Sequence, residues 1–136
     1  MQNLITNLNQ ISDGRGKLIV FEKDNNLNFE LKRTYFIFSE SNSDRGFHAH
    51  HNTNQLLVCL NGSVTIYFDD GVSKSSYLLD STDVGVFIPK LVWHHMANPS
   101  SDCIMTVMAD QLYDEHDYIR NYNEFIKLIK DDTPFS

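Results

Sequence analysis

Five of the six histidines fall in two short segments, Arg45-Gly46-Phe47-His48-Ala49-His50-His51 and Trp93-His94-His95. Imidazole has an ordinary pKa near neutrality, so a histidine cluster suits general acid–base catalysis or coordination of a metal ion. His48 and His50 are two apart, and residues i and i+2 of a strand share a face. The pair therefore points into an interior, with His51 turned outward or to the rim. Arg45 stands three residues before His48 and brings a guanidinium to the same mouth. A single histidine is ordinarily a packed core or surface residue, which is the reading for His116. Two on one strand face beside an arginine, with His94 following Pro89 and Trp93, argue for a site.

Short strands broken by turns must carry these residues. Lys17–Glu22 follows the turn cluster Asp13-Gly14-Arg15-Gly16, and Phe29–Phe38 is rich in aromatic and β-branched residues. Gln55–Leu60 ends at Asn61-Gly62, and Ser63–Phe68 ends at Asp69-Asp70-Gly71; Asn and Gly tolerate the positive φ of hairpin turns. Ser75–Leu79, Val84–Ile88 and Cys103–Ala109 follow. Strands at this spacing without intervening helices predict a sandwich or barrel over residues 1–112. From Tyr118 the apolar residues adopt the i, i+3/i+4, i+7 rhythm of an amphipathic helix. A helix over 114–130, with Asp114 as N-cap and Asp117 in its first turn, is expected to pack outside the barrel, with 131–136 frayed.

The 136 residues suit one domain, 1–136. A net charge of −7 gives no basic footprint for nucleic acid, and any anionic ligand must be met by particular Arg or Lys residues. Cys59 and Cys103 sit in apolar runs and read as reduced core thiols, not a disulfide framework. No signal peptide or membrane-length apolar run is evident, so a cytoplasmic location is expected.

The histidine spacing resembles the cupins. His48-x-His50, Gln55 and Gly62 follow the first cupin motif, and Gly85, Pro89, His94 and Asn98 follow the second. The resemblance implies an all-β, RmlC-like jelly-roll barrel with the helix appended. Two departures matter. Gln55 stands where the acidic metal ligand belongs, and Leu91 where the second motif has glycine. A neutral amide weakens a divalent-ion site, so acid–base work without metal is the expectation.

A narrower resemblance spans nearly the whole chain. Asp13–Gly16, Lys32–Tyr35, Arg45–His50, Val58–Ser63, Asp69–Gly71, Val92–His94, Tyr113–Glu115 and Asp117–Arg120 are similar to segments of the nucleotide-sugar 3,4-ketoisomerases. That family implies dTDP-4-keto-6-deoxyglucose as substrate, no cofactor, and an enediol route that carries the ketone from C4 to C3. By resemblance His48 is the base, His50 its proton-holding neighbour, and Tyr35 the group that meets the sugar oxygens. Arg33 and Arg45 are candidates for the pyrophosphate, since guanidinium binds phosphate bidentately. Arg15 and His94 match the members that make the galacto product, a precursor of a 3-amino-3,6-dideoxyhexose for surface glycans such as lipopolysaccharide. A homodimer with exchanged N-terminal strands is also implied, and Lys17–Glu22, bounded by glycines, suits such a strand. The rival readings are the gluco product, a metal-dependent cupin, and a non-catalytic sugar-binding barrel.

Overall fold

The computed structural model describes residues 3–40 and 43–131. In chain order the strands are β1 (Ile5–Asn7), β2 (Ile11–Asp13), β3 (Gly16–Leu18), β4 (Glu22–Lys23), β5 (Asn26–Leu27), β6 (Arg33–Phe38) and β7 (Arg45–His50). They continue with β8 (Gln55–Asn61), β9 (Val64–Asp69), β10 (Lys74–Leu79), β11 (Val84–Ile88), β12 (Trp93–Ala97), β13 (Ile104–Ala109) and β14 (Tyr118–Ile119). A helix, α1 (Tyr122–Asp131), follows.

Ten strands form two five-stranded antiparallel sheets, β1-β11-β8-β13-β6 and β10-β9-β12-β7-β14. The sheets pack over the inward alternates of both: Leu57 and Cys59 of β8, Ile66 and Phe68 of β9, Val86 of β11, and Met105 and Val107 of β13. This is a jelly-roll sandwich, the fold the cupin resemblance implied, without strand pairing that closes it into a continuous barrel among the described residues. β8 is buried on both faces. Its outward Leu56 and Val58 lie beneath Leu8, Leu27 and Phe29 of the N-terminal segment, which explains its continuous apolar run. Cys59 and Cys103 are free, buried thiols, and burial pushes that of Cys59 up to about 12.

The helix departs from expectation at its start. Residues 114–130 do not form one helix. Tyr118 and Ile119 instead pair with His50 and Ala49 as an edge strand, and Asp114 caps only the 3-10 turn Glu115–Asp117. The helix proper starts at Tyr122, where Asn121 Oδ1 accepts from the Glu124 amide at 3.0 Å. Its apolar face does pack outside the sheet, with Phe125 fully buried beside Ala49 and Ile119. No helix among the described residues is long and apolar enough to cross a membrane.

Two expected strands also change. Lys17–Glu22 is not one strand: its first residues close an exposed hairpin, β2–β3, and its last belongs to β4. The strand expected over Phe29–Phe38 begins only at Arg33, because Phe29 is drawn into the cluster over β8. Of the tail predicted to fray, residues 132–136 lie outside the described residues.

Candidate active site

β7 and β12 lie side by side with His48 opposite His94. Phe47 is an extra residue on β7 at this point: His94 pairs with His48 and His95 with Gly46, so the ladder bulges. Gly46 takes φ 101° and Phe47 φ 60°. A Cβ on Gly46 would lie 3.0 Å from the His95 Cα, so the close approach requires glycine. Leu91, where the cupin motif carries glycine, holds the left-handed φ (61°) that glycine adopts without strain.

The bulge leaves His48, His50 and His94 on the inner face. Their ring centroids are separated by 4.9 Å (His48–His50), 4.8 Å (His48–His94) and 6.1 Å (His50–His94). His50 and His94 are almost wholly buried. The His94 Nδ1 lies 3.1 Å from the carbonyl of Val92, to which it donates when protonated there. The buried Asp117 sits behind His50. Its Oδ2 receives the His50 Nδ1–H at 2.9 Å and the Thr53 hydroxyl at 2.5 Å, and its Oδ1 the Asn52 amide at 2.7 Å. The carboxylate thereby fixes the His50 tautomer and directs its Nε2 lone pair away from Asp117. That Nε2 and the His48 Nδ1 are buried without a hydrogen-bond partner among the described residues.

Desolvation dominates the electrostatics. Burial, then the neighbouring imidazole, lowers His48 to about 4 and His94 to about 3. Burial also lowers His50, outweighing the upward pull of Asp117. Burial alone would raise Asp117, but its hydrogen bonds from Thr53, Asn52 and His50 prevail and lower it. At neutral pH the pocket thus holds three uncharged imidazoles and one carboxylate.

Tyr35 projects inward from β6 and receives a hydrogen bond from the Gln55 amide at 3.3 Å. Burial, first among its causes, raises the Tyr35 phenol, which stays protonated. Gln55 is therefore a buried partner of Tyr35. The Arg33 guanidinium lies 5.7 Å from the ring centroids of both Tyr35 and Tyr113, and its buried Nε has no hydrogen-bond partner among the described residues. Tyr118 stands 4.5 Å from His50 and 5.0 Å from His48, with the Arg120 guanidinium 4.4 Å over its ring.

The structure thus gathers His48, His50, His94, Tyr35, Gln55 and Arg33. Arg45 is exposed at the start of β7. Arg15 lies at the tip of the β2–β3 hairpin, 92% exposed and ion-paired with Asp13 at 2.8 Å, outside the pocket of its own chain. Sequence reasoning assigned no site role to Asp117, Tyr118 or Arg120. The Asp117-Tyr118-Ile119-Arg120 segment was their one signal, and a helical reading of its periodicity concealed it.

The chemistry on offer is proton transfer: two unpartnered imidazole nitrogens, a phenol, and a carboxylate able to stabilise one imidazolium. By count the three imidazoles can also take a metal ion, since their ligand atoms lie within 4.8 Å of one another. The set lacks an anionic ligand, because Asp117 is committed to His50 and Gln55 to Tyr35.

Comparison with known proteins places the chain in a family. A family model described as FdtA: WxcM-like, C-terminal, matches residues 1–130. The TDP-4-oxo-6-deoxy-alpha-D-glucose-3,4-oxoisomerase of Aneurinibacillus thermoaerophilus is 46% identical over 130 residues, 95% of this chain and 94% of that one. The structure of a TDP-fucose-3,4-ketoisomerase from Campylobacter jejuni superposes with a TM-score of 0.90 at 36% identity, covering 94% of this chain and 96% of that one. A TDP-quinovose 3,4-ketoisomerase from Campylobacter jejuni gives 0.86 at 41% identity, covering 90% and 95%. A 4-keto-6-deoxy sugar epimerase from Streptomyces spheroides shares the fold alone, with a TM-score of 0.71 at 17% identity over 84% of this chain and 66% of that one.

Proposed function

The chain belongs to the FdtA family (WxcM-like, C-terminal) of sugar-nucleotide 3,4-ketoisomerases, and on that premise we propose that it carries the ketone of dTDP-4-keto-6-deoxy-D-glucose from C4 to C3. The C4 ketone acidifies the proton on C3. Neutral His48 removes that proton, and the electron pair becomes the C3–C4 double bond of an enediol as O4 is protonated. Reprotonation at C4, with loss of the O3 proton, leaves the ketone at C3. Electrons balance within the substrate, so the sequence of steps calls for no external oxidant or reductant. Tyr35, a phenol that stays protonated, hydrogen-bonds the sugar oxygens. His50 holds a proton between the two transfers, because Asp117 can stabilise its imidazolium.

The observation that carries this reading is the inner-face trio of uncharged imidazoles, one of them backed by a buried carboxylate. Incubation with dTDP-4-keto-6-deoxyglucose in D2O tests it: deuterium must enter the sugar ring faster than in buffer. A ring that stays protonated while substrate is bound sinks it.

The product is dTDP-3-keto-6-deoxy-D-galactose. Arg15 and His94 support this assignment, as the residues that resemble the galacto-forming members of the family. Proton NMR of the product tests it, since an equatorial O4 would mean the gluco epimer. An aminotransferase acting at the new ketone is the class of enzyme that would consume the product. Arg15 reaches a pocket only if the chain is a homodimer whose N-terminal strands exchange. Exposed Ile11, Leu18, Phe36 and Phe38 support such an assembly, because single chains rarely leave so many large apolar groups in water. Light scattering gives its mass.

A second reading follows from the spacing of the three imidazoles, which would hold a divalent ion able to polarise the ketone oxygen as a Lewis acid. Undiminished turnover after exhaustive chelation sinks that reading, and turnover restored only by added metal sinks the metal-free one.

A further inference from the structure

Arg120 occupies a place at the pocket mouth that none of the roles above uses. Its guanidinium lies over Tyr118, and Tyr118 lies against both His48 and His50, so one aromatic ring separates the cation from the proton-transfer nitrogens. Its charge is near enough to help hold both imidazoles neutral. Arg33 acts on His50 in the same way and lies over Tyr113, whose ring is 5.9 Å from Tyr118. Two arginines therefore flank one opening, joined by a pair of tyrosines. Arg120 is engaged by Glu115: Nε lies 3.3 Å from Oε1, and Nη2 lies 3.2 Å from Oε1 and 3.3 Å from Oε2. Glu115 also accepts from the Tyr113 hydroxyl. Both ends of this ion pair are more than half exposed, so water screens it and a multiply charged anion can displace it.

In a chain of net charge −7, a diphosphate needs local cations, and C1, which bears it, is only two bonds from C3, which gives up the proton. We infer that Arg120, released from Glu115, binds the diphosphate of the substrate opposite Arg33, with Glu115 acting as the resident anion that the diphosphate replaces. This rests on the nucleotide-sugar reading above. The stack on Tyr118 would keep the guanidinium plane in place while its donors change partner.

Isothermal titration of dTDP and of thymidine into the protein, Arg120→Gln and Glu115→Gln tests the inference. Arg120→Gln is expected to weaken dTDP about tenfold or more and to leave thymidine unchanged, because the loss is confined to the anion. Glu115→Gln is expected to tighten dTDP by a few-fold. Equal dTDP affinity in the parent and Arg120→Gln overturns the role of Arg120, and weaker dTDP binding by Glu115→Gln overturns the exchange. An unaltered parent protein that binds neither ligand would instead overturn the nucleotide-sugar reading. Thermal melts of both variants exclude unfolding as the cause. Arg120→Lys adds a check: it keeps the charge but not the fork, and should fall between parent and Gln.

Discussion

The two faces of β7 and β12 use the same side chain in opposite ways. On the inner face His48, His50 and His94 surround a small space, and two of their nitrogens have no hydrogen-bond partner among the described residues. On the outer face His95 is sandwiched between Phe47, 4.4 Å away, and Tyr67, 4.8 Å away, with planes 12° and 4° from parallel. The inner rings leave nitrogen atoms free, whereas the outer ring is used through its π faces, as packing. A one-residue slip would exchange the two sets, so the bulge at Phe47 decides which histidines face the interior.

The largest effect should separate the faces outright. His48→Asn and His50→Asn are each expected to lower kcat about 10³-fold while dTDP affinity changes little, and His95→Asn to leave kcat within about twofold. A comparable loss at His95 would break the contrast. Within the inner face, Asp117→Asn should cost about 10²-fold in kcat with KM nearly unchanged. Because Asp117 pulls the His50 pKa upward, its loss should also move the acid limb of kcat/KM to lower pH. A limb that stays in place would assign Asp117 to the architecture alone.

A third test uses protons and stability. The inner histidines are neutral when folded, with His48 at about 4 and His94 at about 3, but titrate near the ordinary 6.5 when unfolded. Between these values the unfolded chain binds more protons, so stability rises with pH there and is lost as pH falls from about 6.5 toward 4. Denaturant titrations at a series of pH values should show that slope, and His94→Asn should flatten it. Next, Gly46→Ala should destabilise by about 1–3 kcal/mol, read as a lower Tm, because alanine would hold a positive φ with its methyl against His95. Smallest is the outer stack, where His95→Ala should cost about 1 kcal/mol in denaturant unfolding.

Much of this was legible in the residues. Turn chemistry at Asp69–Gly71 marks the hairpin β9–β10, whereas Asn61-Gly62, read as a hairpin turn, instead carries the chain from β8 in one sheet to β9 in the other; period-two spacing puts His48 and His50 on one face. Gln55 was legible as a departure from a metal motif but not as the donor to Tyr35, which depends on β6 and β8 both lying beside β13. β12 was legible only as a motif, because Trp93-His94-His95 carries no apolar alternation. The stretch from Asp114 misled, because an edge strand followed by a helix places apolar residues much as one longer helix does. Arg15 carried its signal in resemblance alone; within one chain its surroundings are water and Asp13.

One consequence belongs to the time axis. His50 and the carboxylate that orients it are 67 residues apart in sequence, and β14, beside Asp117, is the strand that pairs with His50. On a ribosome, which feeds the chain out from its beginning, the histidine strand emerges long before Asp117 does. A nascent chain can display His-x-His and still be inert. The carboxylate that orients His50 arrives late, when the Asp-Tyr-Ile-Arg segment docks against the histidine strand.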